Sequence, residues 1–235
     1  MWILLPAWGC LPIDYHPLFS AFHEVAGPMW TGDPLLTQPL EAIRNQIALP
    51  PEQVNLFGHS LGGLLAIEWM LRFPDEVNRV VLVDPTEPIL PDQRHHPTPR
   101  ADVIMRQAKR RKAYVELIAP VAGIVLPLAR SLATAAGYVA GKDSWRAYAG
   151  VPNTRSWLTD LALSRAKQHA VGELITAGST SGIETTMLIS NSNWDSAFVG
   201  QQLKLAKTLQ ADRVEVVPSH HMFPLTKPHL VQPFL

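Results

Sequence analysis

Cysteine is almost missing from this chain: Cys10 is the one cysteine in 235 residues. No internal disulfide can form, and a reducing, cytoplasmic setting is the expected location. Neither sign of charge is in excess. Twenty Lys and Arg balance 20 Asp and Glu, so no global field gathers nucleic acid or an anionic membrane, and neither is an expected partner. Long apolar runs are lacking too. "MWILLPAWGCLPI" at the N-terminus is short, Pro-interrupted and without a basic leader, which reads as a strand rather than a signal peptide. "IAPVAGIVLPLARSLATAAGYVAG" (118–141) is broken by Pro120, Pro127 and Arg130, which excludes a transmembrane helix. His95-His96 and His220-His221 are adjacent pairs, not the i, i+2 or i, i+4 spacings that converge on one ion, so neither metal nor cofactor is expected.

What is present is an ordinary globular balance, 47% apolar and 17% charged, in a chain long enough for one domain with an insertion. "WILLPAW" (2–8), "VNLFG" (54–58), "RVVLVD" (79–84), "TMLIS" (186–190) and "RVEVVP" (213–218) are short apolar runs rich in β-branched residues. Continuous apolarity, rather than alternation, fits strands buried on both faces of a parallel sheet. "GPMWTGD" (27–33) is a weaker candidate strand. Helical patterns lie between them in "PLFSAFHEVA", "LTQPLEAIRNQIA", "LGGLLAIEWMLRF" and "SAFVGQQLKLAKTLQ". Alternation of this kind predicts an open, mostly parallel α/β sheet with helices on both faces.

The alternation stops between Pro85 and about Ile183. A Pro- and His-rich loop, a basic segment with "KRRK" (109–112), the apolar stretch and "TRSWLTDLALSRAKQHAVGELI" follow one another without a strand. The expected organisation is a core of 1–84 and 184–235 with a helical cap of 85–183 over the carboxyl edge of the sheet, where such folds bind ligands. The basic run reads as a solvated helix face, with an anionic carrier or headgroup as the alternative.

One corner of the sequence carries chemistry. Gly58-His59-Ser60-Leu61-Gly62 fits G-x-S-x-G between a strand and a helix, the context of a nucleophile elbow. Pushing a serine hydroxyl proud of the sheet strains its backbone and brings the helix close to the strand, so the residues two places either side must be small. A serine needs a base and the base needs an orienting acid, in the chain order Ser, Asp or Glu, His. His220 and His221 follow the last apolar run and either can lean over its carboxyl end. Asp195, past the penultimate strand, and Asp84, at the end of the strand after the elbow helix, are both candidate acids, and both could instead cap a helix or start a turn. Leu61 opens the elbow helix, so its amide is a candidate oxyanion donor. A second donor is expected from the loop after the first strand, "PAWGC".

"ILLPAWG", "LFGHSLGGLLA", "RVVLVDP", "TMLISNSNWD" and "HMFPLTKP", in that order, resemble the α/β-hydrolase superfamily, and most of all its small bacterial esterase-like branch with a helical cap. The resemblance implies Ser60 as nucleophile, Asp195 as acid and His221 rather than His220 as base, the last aligned through Pro228. It also implies Trp8 as the second oxyanion amide, although Pro6-Ala7 replaces the family's His-Gly pair and Ser192 stands where the family shows glycine before the acid. Against that pattern the first two strands are missing, a sheet truncated at the N-terminus, and the next turn is reduced to "PMWTGDP". If "PMWTG" does not pair, "WILLP" becomes an exposed edge that a homodimer would cover. The implied activity is hydrolysis of a carboxylic ester or thioester with a hydrophobic acyl or alcohol part, through a Ser-His-Asp triad and an acyl-enzyme. The alternatives are a catalytically weak small-molecule-binding protein on the same fold and an acyltransferase.

Overall fold

A computed structural model describes residues 1–20, 25–27, 35–36, 38–47, 49–91, 110–111, 113–123, 125, 151–177, 182–191 and 196–235. Six strands form one sheet: β1 (Trp2–Leu5), β2 (Val25–Ala26), β3 (Val54–His59), β4 (Val77–Val83), β5 (Glu184–Ser190) and β6 (Arg213–Val217). They lie in the order β2-β1-β3-β4-β5-β6 and every neighbouring pair is parallel. From β1 the chain pairs outward with β2 on one side and with β3 on the other. The crevice beyond the carboxyl ends of β1 and β3 is therefore the topological switch point, where open α/β sheets bind ligands.

Strand alternation explains why the apolar runs are continuous. Ile3 and Leu5 of β1, Leu56 of β3, and Val80 and Leu82 of β4 pack in one core with Leu64, Leu65 and Ile67 of the elbow helix Leu61–Arg72. Trp2, Leu4, Phe57, Val81 and Val83 face the other way, against Tyr15, Leu18, Phe223 and Val231. With both faces covered, each strand must be apolar at successive positions. Deleting a wholly buried ring such as Phe57 would cost about 3–5 kcal/mol.

Two expectations are corrected near β1. The helical pattern over 17–26 ends early: His16–Phe19 is helical, but Val25–Ala26 is a strand that pairs with Trp2 and Ile3. The stretch Trp2–Ile3 on that side of β1 is paired there, so β1 is not the sheet edge that motivated a homodimer. The weak strand over 27–33 falls, apart from Gly27, outside the described residues.

Between β4 and β5 the described residues contain no strand. They include helical residues 113–123 and a long helix, Val151–Ala177. The long helix packs on the elbow helix through Val171 and an ion pair between Lys167 and Glu68. Its Asp160 carboxylate accepts the backbone N–H groups of Leu35 (3.1 Å) and Leu36 (2.7 Å). Gln168 donates its side-chain N–H to the Glu87 carbonyl (2.8 Å) and accepts the Ile89 N–H on its backbone carbonyl (3.0 Å). Most of the apolar stretch, 126–141 included, and His95-His96 lie outside the described residues.

Candidate active site

Ser60 stands between the last residue of β3 and the first of the elbow helix, with φ 54° and ψ −118°. A non-glycine residue with positive φ costs about 1–3 kcal/mol and persists only where its surroundings fix it. They do so here through the backbone. The Ser60 N–H donates to the Val83 carbonyl (3.0 Å), and its own carbonyl accepts the N–H groups of Gly63 (2.9 Å) and Thr86 (2.8 Å). The flanking glycines are required by close approach. A Cβ at Gly62 would sit 2.0 Å from the Leu5 carbonyl oxygen, and one at Gly58 would sit 2.8 Å from Ala66 Cβ and Gly63 Cα. As the first helical residue, Leu61 has an N–H with no intrahelical carbonyl to bond.

The next strand brings a buried carboxylate. In β4 the register sets His59 opposite Val83, so Asp84 emerges beside the elbow. Its side chain is fully buried. One oxygen accepts the Ser190 N–H from the end of β5 (2.7 Å), and the other accepts Nδ1–H of His221 (3.0 Å). Asp195, the expected acid, lies outside the described residues. Among the described residues the carboxylate on the His221 ring is Asp84, which ends the strand adjacent to the elbow strand and takes a backbone donor from the end of β5.

The two C-terminal histidines separate cleanly. His220 accepts the Met222 N–H on Nδ1 (3.2 Å) and bonds the Thr226 hydroxyl through Nε2 (3.3 Å). Burial, then the charges of Lys227 and His221, lower its pKa. It serves the turn into the short helix Phe223–Thr226, while His221, with a side chain 45% exposed, meets Asp84.

Trp8 sits in a tight turn after β1. The Cys10 N–H donates to the Ala7 carbonyl (3.0 Å) and Gly9, at the third position, has φ 71°, as a type II turn demands of glycine. The turn is held by a feature that sequence reasoning missed: the Ala7 N–H donates to the Tyr15 hydroxyl (2.9 Å), which bonds Nδ1 of the buried His59 (2.7 Å). His59 occupies the variable second position of G-x-S-x-G, and no spacing links it to Tyr15, 44 residues away.

A family model described as alpha/beta hydrolase fold matches residues 36–228. The chain therefore belongs to the α/β-hydrolase family, and fold and family together define its class as a hydrolase. Among solved structures it is similar to the epoxide hydrolase CorEH without ligand, at 16% identity, with 99% of this chain and 88% of that one covered and a TM-score of 0.64. MenH from S. aureus is similar at 13% identity, with 99% and 90% coverage and a TM-score of 0.63. A carboxylesterase structure from the thaumarchaeon Nitrososphaera gargenis matches at 12% identity, with 99% and 87% coverage and a TM-score of 0.57. At these identities the likeness is one of fold. No curated protein matches the sequence. No helix among the described residues is long and apolar enough to cross a membrane.

Proposed function

We propose that the protein is a serine hydrolase acting on a carboxylic ester or thioester, with Ser60 as nucleophile, His221 as general base and Asp84, in place of the expected Asp195, as the orienting acid. The observation that carries this reading is the 3.0 Å bond from His221 Nδ1–H to the buried Asp84 carboxylate, formed at the end of the strand next to the strained Ser60 elbow. With Nδ1 engaged, the proton-accepting lone pair of the imidazole is on Nε2, the tautomer needed to take the hydroxyl proton from Ser60. Asp84 is fixed in turn by the Ser190 N–H, so the ring is held from behind.

In this reading Ser60 Oγ attacks the carbonyl carbon as His221 takes its proton, and the negative oxygen is met by the Leu61 and Trp8 amides. His221 then gives the proton to the leaving alcohol or thiol. Water, deprotonated by the same imidazole, releases the acid from the acyl-enzyme. Epoxide opening fits less well. A serine oxygen that attacked an epoxide carbon would form an ether, which no triad step hydrolyses, whereas attack on an acyl carbon leaves a labile ester. We assign the insertion 85–183 to the cap. Exposed Tyr114, Leu117 and Val121 on helical residues 113–123 give it apolar surface, which supports a substrate with an apolar acyl or alcohol part.

Hydrolysis of p-nitrophenyl esters from acetate to palmitate tests the reading. Turnover that peaks at a medium or long chain and disappears in Ser60→Ala is expected. Turnover that survives in Ser60→Ala would sink it.

A further inference from the structure

We infer that His59, joined to Tyr15, is a positioning residue of the hydrolytic site: one neutral imidazole ties the turn that carries Trp8 to the peptide that carries His221. The inference rests on the serine-hydrolase reading above and adds to it a residue whose ring bonds Tyr15 and the His221 carbonyl.

The hydrogen-bond chain has a single allowed direction. His59 Nε2 lies 2.9 Å from the His221 carbonyl oxygen. A carbonyl only accepts, so Nε2 carries the ring proton. Nδ1 is then a lone pair, and the Tyr15 hydroxyl 2.7 Å away must donate to it. With its hydrogen spent, the Tyr15 oxygen accepts the Ala7 N–H at 2.9 Å. The sequence of donors runs Ala7 N–H, Tyr15 O–H, His59 Nε2–H, and ends on the His221 carbonyl. Bonds aligned in one direction inside a low-dielectric interior polarise and strengthen one another.

Both ends of the chain are site elements. The Ala7 peptide is the first of the turn closed by Cys10, and the proposed oxyanion donor Trp8 is its next residue. The His221 carbonyl fixes the backbone from which the proposed base hangs, and the His221 ring lies tilted over the His59 ring with centroids 4.9 Å apart. Tyr15 and His59 are both 0% exposed, and Tyr15 packs edge-on against Phe57 and His59, so the relay has little room to shift. Burial first, then the neighbouring His221, keep His59 neutral far below the usual imidazole range. A proton on Nδ1 would confront the Tyr15 O–H with a second donor and break the chain.

Three variants and one spectrum test this. His59→Leu removes both bonds, and Tyr15→Phe cuts the link to the turn while leaving the bond to His221. His59→Gln can keep both, since its amide oxygen accepts from Tyr15 and its N–H donates to His221. For ester hydrolysis by folded protein, verified by circular dichroism, a kcat loss on the order of 10²-fold with KM changed less than about threefold is expected for His59→Leu. Tyr15→Phe should lose less, and His59→Gln should recover to within about tenfold of wild type. Equal activity in His59→Leu and wild type would overturn the inference, as would equal impairment in His59→Leu and His59→Gln. Independently of activity, long-range ¹H–¹⁵N spectra of the wild type at pH 8 should show His59 as the Nε2–H tautomer. A His59 ring that carries its proton on Nδ1 there would overturn it even if His59→Leu failed to fold. Loss of Ser60-dependent turnover in the wild type would count against the hydrolase reading alone, because the spectrum still reports on the relay.

Discussion

The carboxyl edge of the sheet and the long helix Val151–Ala177 are both fastened by buried polar groups, and they use different chemistry. At the sheet edge the fastenings are mostly neutral and directional: Ser60 to Val83, Ala7 to Tyr15, Tyr15 to His59, His59 to the His221 carbonyl. Along the long helix they are carboxylates and an ammonium: Asp160 on two backbone amides, Glu68 with Lys167. Neutral directional bonds fix atoms to a narrow geometry and change little with pH. Buried charges tolerate small shifts but answer strongly to loss of a partner or a proton. The proposed triad needs the first property, and a helix docked on the core can be held by the second.

Breaking the sheet edge should produce the largest effects, and they should fall on catalysis. His221→Ala is expected to lower kcat on the order of 10⁶-fold. His220→Ala should leave kcat within a few-fold and cost about 1 kcal/mol of stability, since it removes bonds to Met222 and Thr226. Steady-state kinetics and urea denaturation of the pair measure the contrast. Gly62→Ala comes next. Its Cβ would meet the Leu5 backbone oxygen, which cannot rotate away, and a loss of about 3 kcal/mol is expected by denaturation.

Effects along the helix should be smaller and should fall on stability. Lys167→Met leaves Glu68 buried with Arg72, 3.4 Å away, as its one remaining cationic partner among the described residues. A loss of about 2 kcal/mol is expected, less than for a wholly uncovered charge, and adding Glu68→Gln should restore most of it. Asp160 sharpens the comparison through pH. Burial pushes its pKa up to about 7, against the opposing pull of the Leu36 and Leu35 amides and Lys167. The folded chain thus keeps a proton that the unfolded chain has already released. Stability from this group is full below about pH 4 and is lost as pH rises through about 7, at up to about 1.4 kcal/mol per pH unit. Asp160→Asn should flatten that slope in thermal unfolding between pH 4 and pH 7, with each kcal/mol read as about 2–4 °C.

The same division explains how much could be read in advance. Apolar runs marked five of the six strands, and the steric demand for Gly58 and Gly62 marked the elbow, because burial and close approach act on residue type at a fixed spacing. Val25–Ala26 was hidden, since a two-residue pairing leaves no periodicity. Asp84 is legible at the end of its strand, but its meeting with the His221 ring depends on which strand neighbours the elbow, and that order is a property of the sheet. Tyr15, His59 and Asp160 gave no signal. Their partners are a backbone N–H, a backbone carbonyl and a side chain 44 residues distant, and backbone groups are the same in every sequence.

The labelling rate of an active-site fluorophosphonate tests the account most directly, compared across folded wild type, Asp84→Asn and Asp195→Asn, with Ser60→Ala as the blank. Stoichiometric labelling of the wild type, none of Ser60→Ala, a fall on the order of 10⁴-fold for Asp84→Asn and a change below about threefold for Asp195→Asn are expected. An Asp84→Asn protein that labels as fast as the wild type would contradict the account.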